Sequence, residues 1–296
     1  MPKQKDTDFL YISAKVRGME HKLLKREAYE RMILAGDNLE VARILEEHGY
    51  GHIDTADTLA LHHVILDREA AIFQELAARA PEPEIIDLFR IKDDYHNAKA
   101  LVRAEAAGLC GKYLMRDGGR IDRELLAEEY QAGFSQTPPI LAKAITEARA
   151  ALARTNDAQV ADIVLDKAMF EEWRGIAEEL GDDYVRGYVR VLIDDVNRDT
   201  VGRTVGMGFG RAKLMDLLIP GGNIAPRTLL EEGALEKVPG DLARAYLQKA
   251  NLVAFGAAPV IAYLAAVEEE GRAVRTVVAG RIAGLEPTAI RERLRV

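Results

Sequence analysis

Apolar side chains recur along this chain at steps of three and four residues, the spacing that lines one face of an α-helix, and sustained alternation of the kind a half-buried strand needs is hard to find. Phe9, Ile12, Val16, Met19 and Leu23 form one such stripe. Asp37 or Asn38 stands where an N-cap belongs, ahead of a second stripe of Leu39, Ala42 and Leu45 that stops at Gly49. Thr137 with Pro138 and Pro139 marks another helix start, because proline at the first helical position lacks only an N–H that has no helical partner anyway. Residues 184–193 are rich in valine, yet Val185, Tyr188, Val189, Leu192 and Ile193 fall on one helical face. The pattern predicts an all-α protein with at most scraps of sheet.

The chain also repeats itself. Ile65-Leu66-Asp67-Arg68 matches Val164-Leu165-Asp166-Lys167, 99 residues further on, and Asp94, Asn97 and Arg103 match Asp194, Asn197 and Arg203 at a shift of 100. Gly118-Gly119-Arg120-Ile121 then matches Gly221-Gly222-Asn223-Ile224 at a shift of 103, followed by Glu128-Glu129 and Glu231-Glu232. The order is kept, which marks duplicated supersecondary units. In each copy the Gly-Gly pair predicts a tight corner ending one helix. The next helix starts at an Asp122 N-cap in one copy and at Ala225-Pro226 in the other.

A fainter third copy lies near the C-terminus. Leu101-Val102 and Ala107-Gly108-Leu109 match Val277-Val278 and Ala283-Gly284-Leu285, each at a shift of 176, with Glu270 in the place of Asp94 and Ala273 in the place of Asn97. This copy lacks its own upstream half, so the N-terminal helices are expected to complete it. The expected organisation is one three-lobed domain, residues 1–296, with lobe one formed by 1–52 and 251–296, lobe two by 53–153 and lobe three by 154–250. Three similar lobes imply a ring or funnel with pseudo-threefold symmetry.

Composition narrows the function. The net charge of −8 arises from 40 basic and 48 acidic residues interspersed along the chain, with no basic block to track a phosphate backbone, which argues against nucleic acid as a partner. Met1-Pro2-Lys3-Gln4-Lys5-Asp6 is followed by no apolar run before Asp8, so it does not read as a secretory signal. The single cysteine, Cys110, has no internal disulfide partner and reads as a small buried hydrophobe in a reducing compartment. Residues 250–267 carry no charge and approach membrane-spanning length, but Gly256 and Pro259 interrupt them. Two buried helices meeting at a break are the expectation, with an apolar face resting on a membrane protein as the alternative.

Candidate chemistry is sparse. Asp93-Asp94-Tyr95-His96-Asn97 has the look of the aspartate-rich motifs with which all-helical prenyl-transferring enzymes hold magnesium diphosphate, and Asp194-Asp195-Val196-Asn197 is its counterpart. Such a site needs both clusters aimed at the same ions. Here they occupy equivalent places in two copies of a repeat, so a repeated structural role is favoured, with Asp and Asn bonding neighbouring backbone or Arg103 and Arg203. His48 and His52 are separated by helix-breaking glycines, and adjacent His62 and His63 point to different sides of a helix, so neither pair makes a metal site. Gly206-Met207-Gly208-Phe209-Gly210 lacks the preceding strand of a dinucleotide fingerprint and any Walker lysine, and reads as an inter-helix turn. The only serines, Ser13 and Ser135, have no glycine-framed elbow. No catalytic, cofactor or metal residue is expected.

The chain resembles the C subunits of the V/A-type rotary ATPases, whose eukaryotic counterpart is the d subunit. The motifs that carry the likeness are Phe9-Leu10-Tyr11-Ile12-Ser13-Ala14-Lys15-Val16-Arg17-Gly18-Met19-Glu20 with Leu23-Leu24, then Asp94-Tyr95-His96-Asn97-Ala98-Lys99-Ala100-Leu101, then Ile219-Pro220-Gly221-Gly222. Residues 271–273, where that family tends to carry polar side chains including asparagine, depart from the pattern. The resemblance implies a non-catalytic funnel of three helical lobes on the cytoplasmic face of a membrane. Its cavity would receive the central-shaft subunits of D and F type, and its opposite face would rest on the proteolipid rotor ring. It would carry torque for proton or sodium transport. A prenyl-transfer-type enzyme and a cytosolic helical adaptor are the alternative readings.

Overall fold

The computed structural model describes residues 6–52, 58–204 and 207–294. Residues 1–5 of the N-terminal segment, and Gly206 of the glycine-rich turn, lie outside the described residues. Within them every regular element is helical and there is no strand. The α-helices are α1 Leu10–Glu20, α2 Arg26–Leu34, α3 Asn38–Glu47, α4 Thr58–Ala77, α5 Glu84–Ala107, α6 Arg123–Ala132, α7 Pro139–Thr155, α8 Ala158–Leu180, α9 Asp183–Thr204, α10 Arg211–Leu217, α11 Pro226–Leu229, α12 Ala234–Lys237, α13 Leu242–Leu247, α14 Ala257–Ile282 and α15 Pro287–Arg293. Short 3₁₀ turns occupy Asp6–Phe9, Gly111–Leu114 and Gln248–Leu252.

Local chemistry accounts for many of the boundaries. Asp37 accepts a hydrogen bond from Glu40 N at 2.8 Å and starts α3, and Asp122 accepts from Glu124 N and Leu125 N at 2.9 and 3.0 Å and starts α6. Each satisfies backbone donors that the first helical turn leaves unpaired. Pro139 and Pro226 sit in the first turns of α7 and α11, as proline's fixed φ permits. Gly108, with φ of 66°, closes α5 in the left-handed conformation, so the helix-ending role expected of Gly118-Gly119 falls ten residues earlier.

The main core lies between α5, α9 and α14, flanked by α1, α7 and α8. Leu88 and the positions 100 and 176 residues after it, Tyr188 and Leu264, are all buried there. Trp173 on α8 fills the space beside α5 and donates its indole N–H to Leu88 O at 2.7 Å. A second core joins the two ends of the described chain: Met32, Ile33, Val41, Ile44 and Leu45 pack with Val274, Val277 and Ile290. A small third cluster, Val201, Leu218 and Leu229, seals the region after α9.

Several sequence expectations need correction. Cys110 is exposed, because α5 has already ended and the chain turns outward through Leu109, itself 70% exposed. Leu39 is 49% exposed, and α3 instead buries Val41, Ala42, Ile44 and Leu45. Residues 250–267 do not form two buried helices. Gly256, with φ of 115°, precedes one continuous α14, and Pro259 falls in its first turn, where its missing N–H costs nothing. Upstream of Gly256 the chain is 3₁₀ and outward-facing, with Leu252 92% exposed. No helix among the described residues is long and apolar enough to cross a membrane.

Candidate functional site: repeated corners around a shared cavity

The sequence-related polar residues build two corners of the same design. Asn97 on α5 clamps Arg116, accepting from its N–H at 2.7 Å and donating to its carbonyl at 2.9 Å. Asn197 on α9 clamps Ile219 in the same two-way manner, both bonds being 2.7 Å. Asp94 accepts from Ile121 N at 3.2 Å and Asp194 from Ile224 N at 2.9 Å. A side-chain amide matches one backbone N–H and one C=O together, and a carboxylate accepts what remains, so four fully buried polar side chains fold the loops back onto their helices. Gly119 and Gly222 are required by this closeness, since a Cβ on either would collide with the carboxylate of Asp94 or Asp194. Gly118 lies equally close to Asp93, while Gly221 has φ of 103° and faces Arg174.

Arg103 and Arg203 take no part in these corners. Arg103 reaches across to Asp162 on α8, with Nε 3.1 Å from Oδ1, and Arg203 donates to the carbonyl of Asp199 within its own helix. The guanidinium that meets Asp94 is Arg120, at 2.7 Å, which also bonds Glu172 on α8 at 2.8 Å, while Tyr95 donates to the other oxygen of Glu172 at 2.9 Å. The residue equivalent to Arg120 is Asn223, whose N–H and side-chain amide both bond Asp194. Burial pushes the Asp94 carboxyl up to about 6 against the opposing pull of Arg120. It therefore remains charged and paired at neutral pH.

Glu270 forms the related contact in α14. It accepts from Leu24 N, which belongs to the corner between α1 and α2, and from Tyr50 Oη at 2.8 Å, and it pairs with Arg68 of α4. Ala273 offers no amide for a clamp. The aspartates that suggested a diphosphate site are likewise committed to the fold: Asp93 pairs with Arg116 at 3.1 Å, and Asp195 accepts from Leu242 N and Ala243 N at the start of α13. Among the described histidines, His48 bonds Ile44 O and His52 bonds Glu46.

A cavity of about 1010 Å³ opens beside these helices. Its lining includes Lys92 of α5, Leu192 of α9 and Glu268 of α14, each standing two residues before Asp94, Asp194 and Glu270. Lys92 and the positions 100 and 176 residues after it thus meet at one space. Lys92 bonds Glu268 at 2.6 Å, and its Nζ lies 5.0 Å above the Phe89 ring. Other walls come from Tyr188, Asp195, Arg198 and Asp199 on α9, from Tyr263, Glu269 and Arg272 on α14, and from Gly240, Asp241, Ala243, Arg244, Leu247, Gln248 and Asn251 around α13. Acidic and basic groups share this surface with leucine and alanine side chains, so it carries more charge than the few polar groups that small-molecule pockets favour. The repeat in the sequence marks the residues behind this wall and not those on it, although the constant two-residue offset connects the two sets.

An all-helical body, with its buried carboxylates tied into corners and a mixed-charge cavity between its helices, has the build of a scaffold. The family model described as ATP synthase (C/AC39) subunit matches residues 12–245, and the chain belongs to that family. It is a non-catalytic subunit of V/A-type ATP synthases. The C subunit of the V-type sodium ATPase of Enterococcus hirae is 24% identical over 314 aligned positions, covering 95% of this chain and 96% of that protein. The C subunit of the V-type ATP synthase of Thermus thermophilus is 27% identical over 210 positions, 68% of this chain and 65% of the relative. The C subunit of the A-type ATP synthase of Methanocaldococcus jannaschii is 23% identical, covering 97% and 86%.

Proposed function

We propose that this chain is the socket of the central stalk, seating shaft subunits of D and F type in its cavity and resting by its opposite face on the proteolipid rotor ring at the cytoplasmic side of the membrane. Three lobes, residues 1–52 with 251–296, 53–153 and 154–250, form the funnel that carries torque for proton or sodium transport. The observation that supports this reading most is the meeting of Lys92, Leu192 and Glu268 at one cavity. A torque-bearing joint needs contacts distributed around an axis, and equivalent positions of three repeat copies supply them.

The test is to deplete the chain from the holoenzyme and to measure two activities separately. ATP hydrolysis by the soluble head survives, while ATP-driven ion transport vanishes and returns on adding the chain back. Transport that persists without the chain, or hydrolysis by the detached head that requires it, overturns the coupling role.

A further inference from the structure

The cavity wall is not equally firm all round. α5 is backed by α8, which buries Ala161, Leu165, Phe170 and Trp173, and α14 is backed by α4, which buries Ile65, Phe73 and Leu76. α9 is backed in part by α8 and in part by α13, which is six residues long and has no fully buried side chain. Across residues 241–255 the one buried residue is Ala250. Yet residues 240–251 supply seven of the cavity's lining residues.

Ala243, Tyr246 and Leu247 pack part-buried against the main core, and the rest of this segment is held by a short set of polar attachments. The Asp195 carboxylate caps α13 by accepting from Leu242 N and Ala243 N at 2.8 and 2.7 Å. Tyr246 lies over Gly187 and donates to Tyr184 O at 3.1 Å. Arg17 donates to the carbonyls of Ala250 and Val253. Gly240 and Gly256 bracket the segment, and the positive φ angles of Asp241 (56°) and Gly256 (115°) set sharp turns at both ends. Segments with few buried contacts, held mainly by hydrogen bonds that water can replace, are the ones that open locally while the rest stays folded.

Its place gives the segment a reason to move, since it forms one wall of the cavity that a shaft would enter and its displacement widens that space. We infer that residues 241–252 form a displaceable strap, released from α9 to admit the shaft and closing on it afterwards. This inference rests on the socket reading above.

A cysteine pair, Asp195→Cys with Ala243→Cys in a Cys110→Ser background, joins strap to α9 when oxidised and frees it when reduced. Association of the purified shaft subunits with the full chain is then timed in both states. Oxidation slows association by about ten-fold or more, and dithiothreitol restores it, as expected when binding must wait for an opening. Equal rates in both states overturn the strap while leaving the socket intact, whereas absence of shaft binding by the unmodified chain overturns the socket itself. Independently, hydrogen exchange on the unmodified chain shows amides of residues 242–252 exchanging together and well ahead of residues 185–201. Exchange of both segments at one rate refutes the strap, even if the cysteine variant fails to fold.

Discussion

Asn197 grips Ile219 at both of its backbone groups, donating to the carbonyl and accepting from the N–H through two 2.7 Å bonds. Asn97 does the same to Arg116, 100 residues earlier in the chain. Replacement by alanine strands a buried N–H and a C=O without replacing them by anything. Asn97→Ala and Asn197→Ala should each cost on the order of 1–3 kcal/mol, read as a lowered midpoint in thermal or denaturant unfolding. An unchanged midpoint for both would show that water repairs the corner freely.

The corners also predict an asymmetry among glycines. Gly119→Ala and Gly222→Ala drive a methyl into carboxylates held by Ile121 and Ile224, and should destabilise by about 1–3 kcal/mol. Gly175 lies in the middle of α8 with nothing within 4 Å of its absent Cβ. Gly175→Ala should therefore stabilise by about 0.5–1 kcal/mol through the better helix propensity of alanine. Urea titration of the three variants checks both signs, and destabilisation by Gly175→Ala as large as that of the corner variants would refute the packing argument.

These corners are legible in the sequence because they occur twice. Asp94, Asn97 and the Gly-Gly pair repeat with their spacing, so the sequence marks them even without showing what they bind. Arg120 is not legible in the same way: its counterpart is Asn223, and nothing local says that a guanidinium will reach from a loop to both Asp94 and Glu172. The exposure of Cys110 is hidden because apolar neighbours along the chain say little about burial once Gly108 has ended the helix. Pro259 looks like a break because a proline inside an apolar run breaks a helix everywhere except in its first turn, and the true start at Ala257 depends on the unusual backbone of Gly256.

Glu69 on α4 carries a pH dependence of its own. Its carboxyl is pushed up to about 7 by burial, against Arg275 of α14, and is raised further by Glu268 and Asp93 while Arg116 lowers it. Arg275 Nη1 lies 3.6 Å from Oε1, and neither atom has a hydrogen-bond partner. Unfolded, the group titrates near 4.5. Between the two values the folded chain holds a proton that the unfolded chain has lost, so this contribution is complete below pH 4.5 and disappears as the pH rises to 7. Glu69→Gln should flatten that decline and make the protein more stable than wild type at pH 8, by about 1–3 kcal/mol. Melting curves at pH 5 and pH 8 decide it: a Glu69→Gln variant with the wild-type slope refutes the assignment.

The ion pair between Lys92 and Glu268 separates the strength of the cavity wall from what the wall presents to a partner. Both groups are partly buried, with side-chain exposures of 31% and 16%, so the pair is worth about 1 kcal/mol. Lys92→Glu alone places two carboxylates face to face and removes a cation from above Phe89, and should lower the unfolding midpoint. Adding Glu268→Lys restores an opposite-charge pair across the same gap and should recover much of that stability, the recovered part being the coupling energy of a double-mutant cycle. The charges facing the cavity are then exchanged between α5 and α14. If a shaft reads this surface, the swapped protein folds nearly as well as wild type yet binds shaft subunits roughly three- to ten-fold more weakly, a loss of about 1 kcal/mol spread over the contact rather than concentrated in one hot spot. Titration of the two proteins with shaft subunits at equal ionic strength measures this. Full recovery of both stability and binding would make the pair a strut within the fold and remove it from the docking surface.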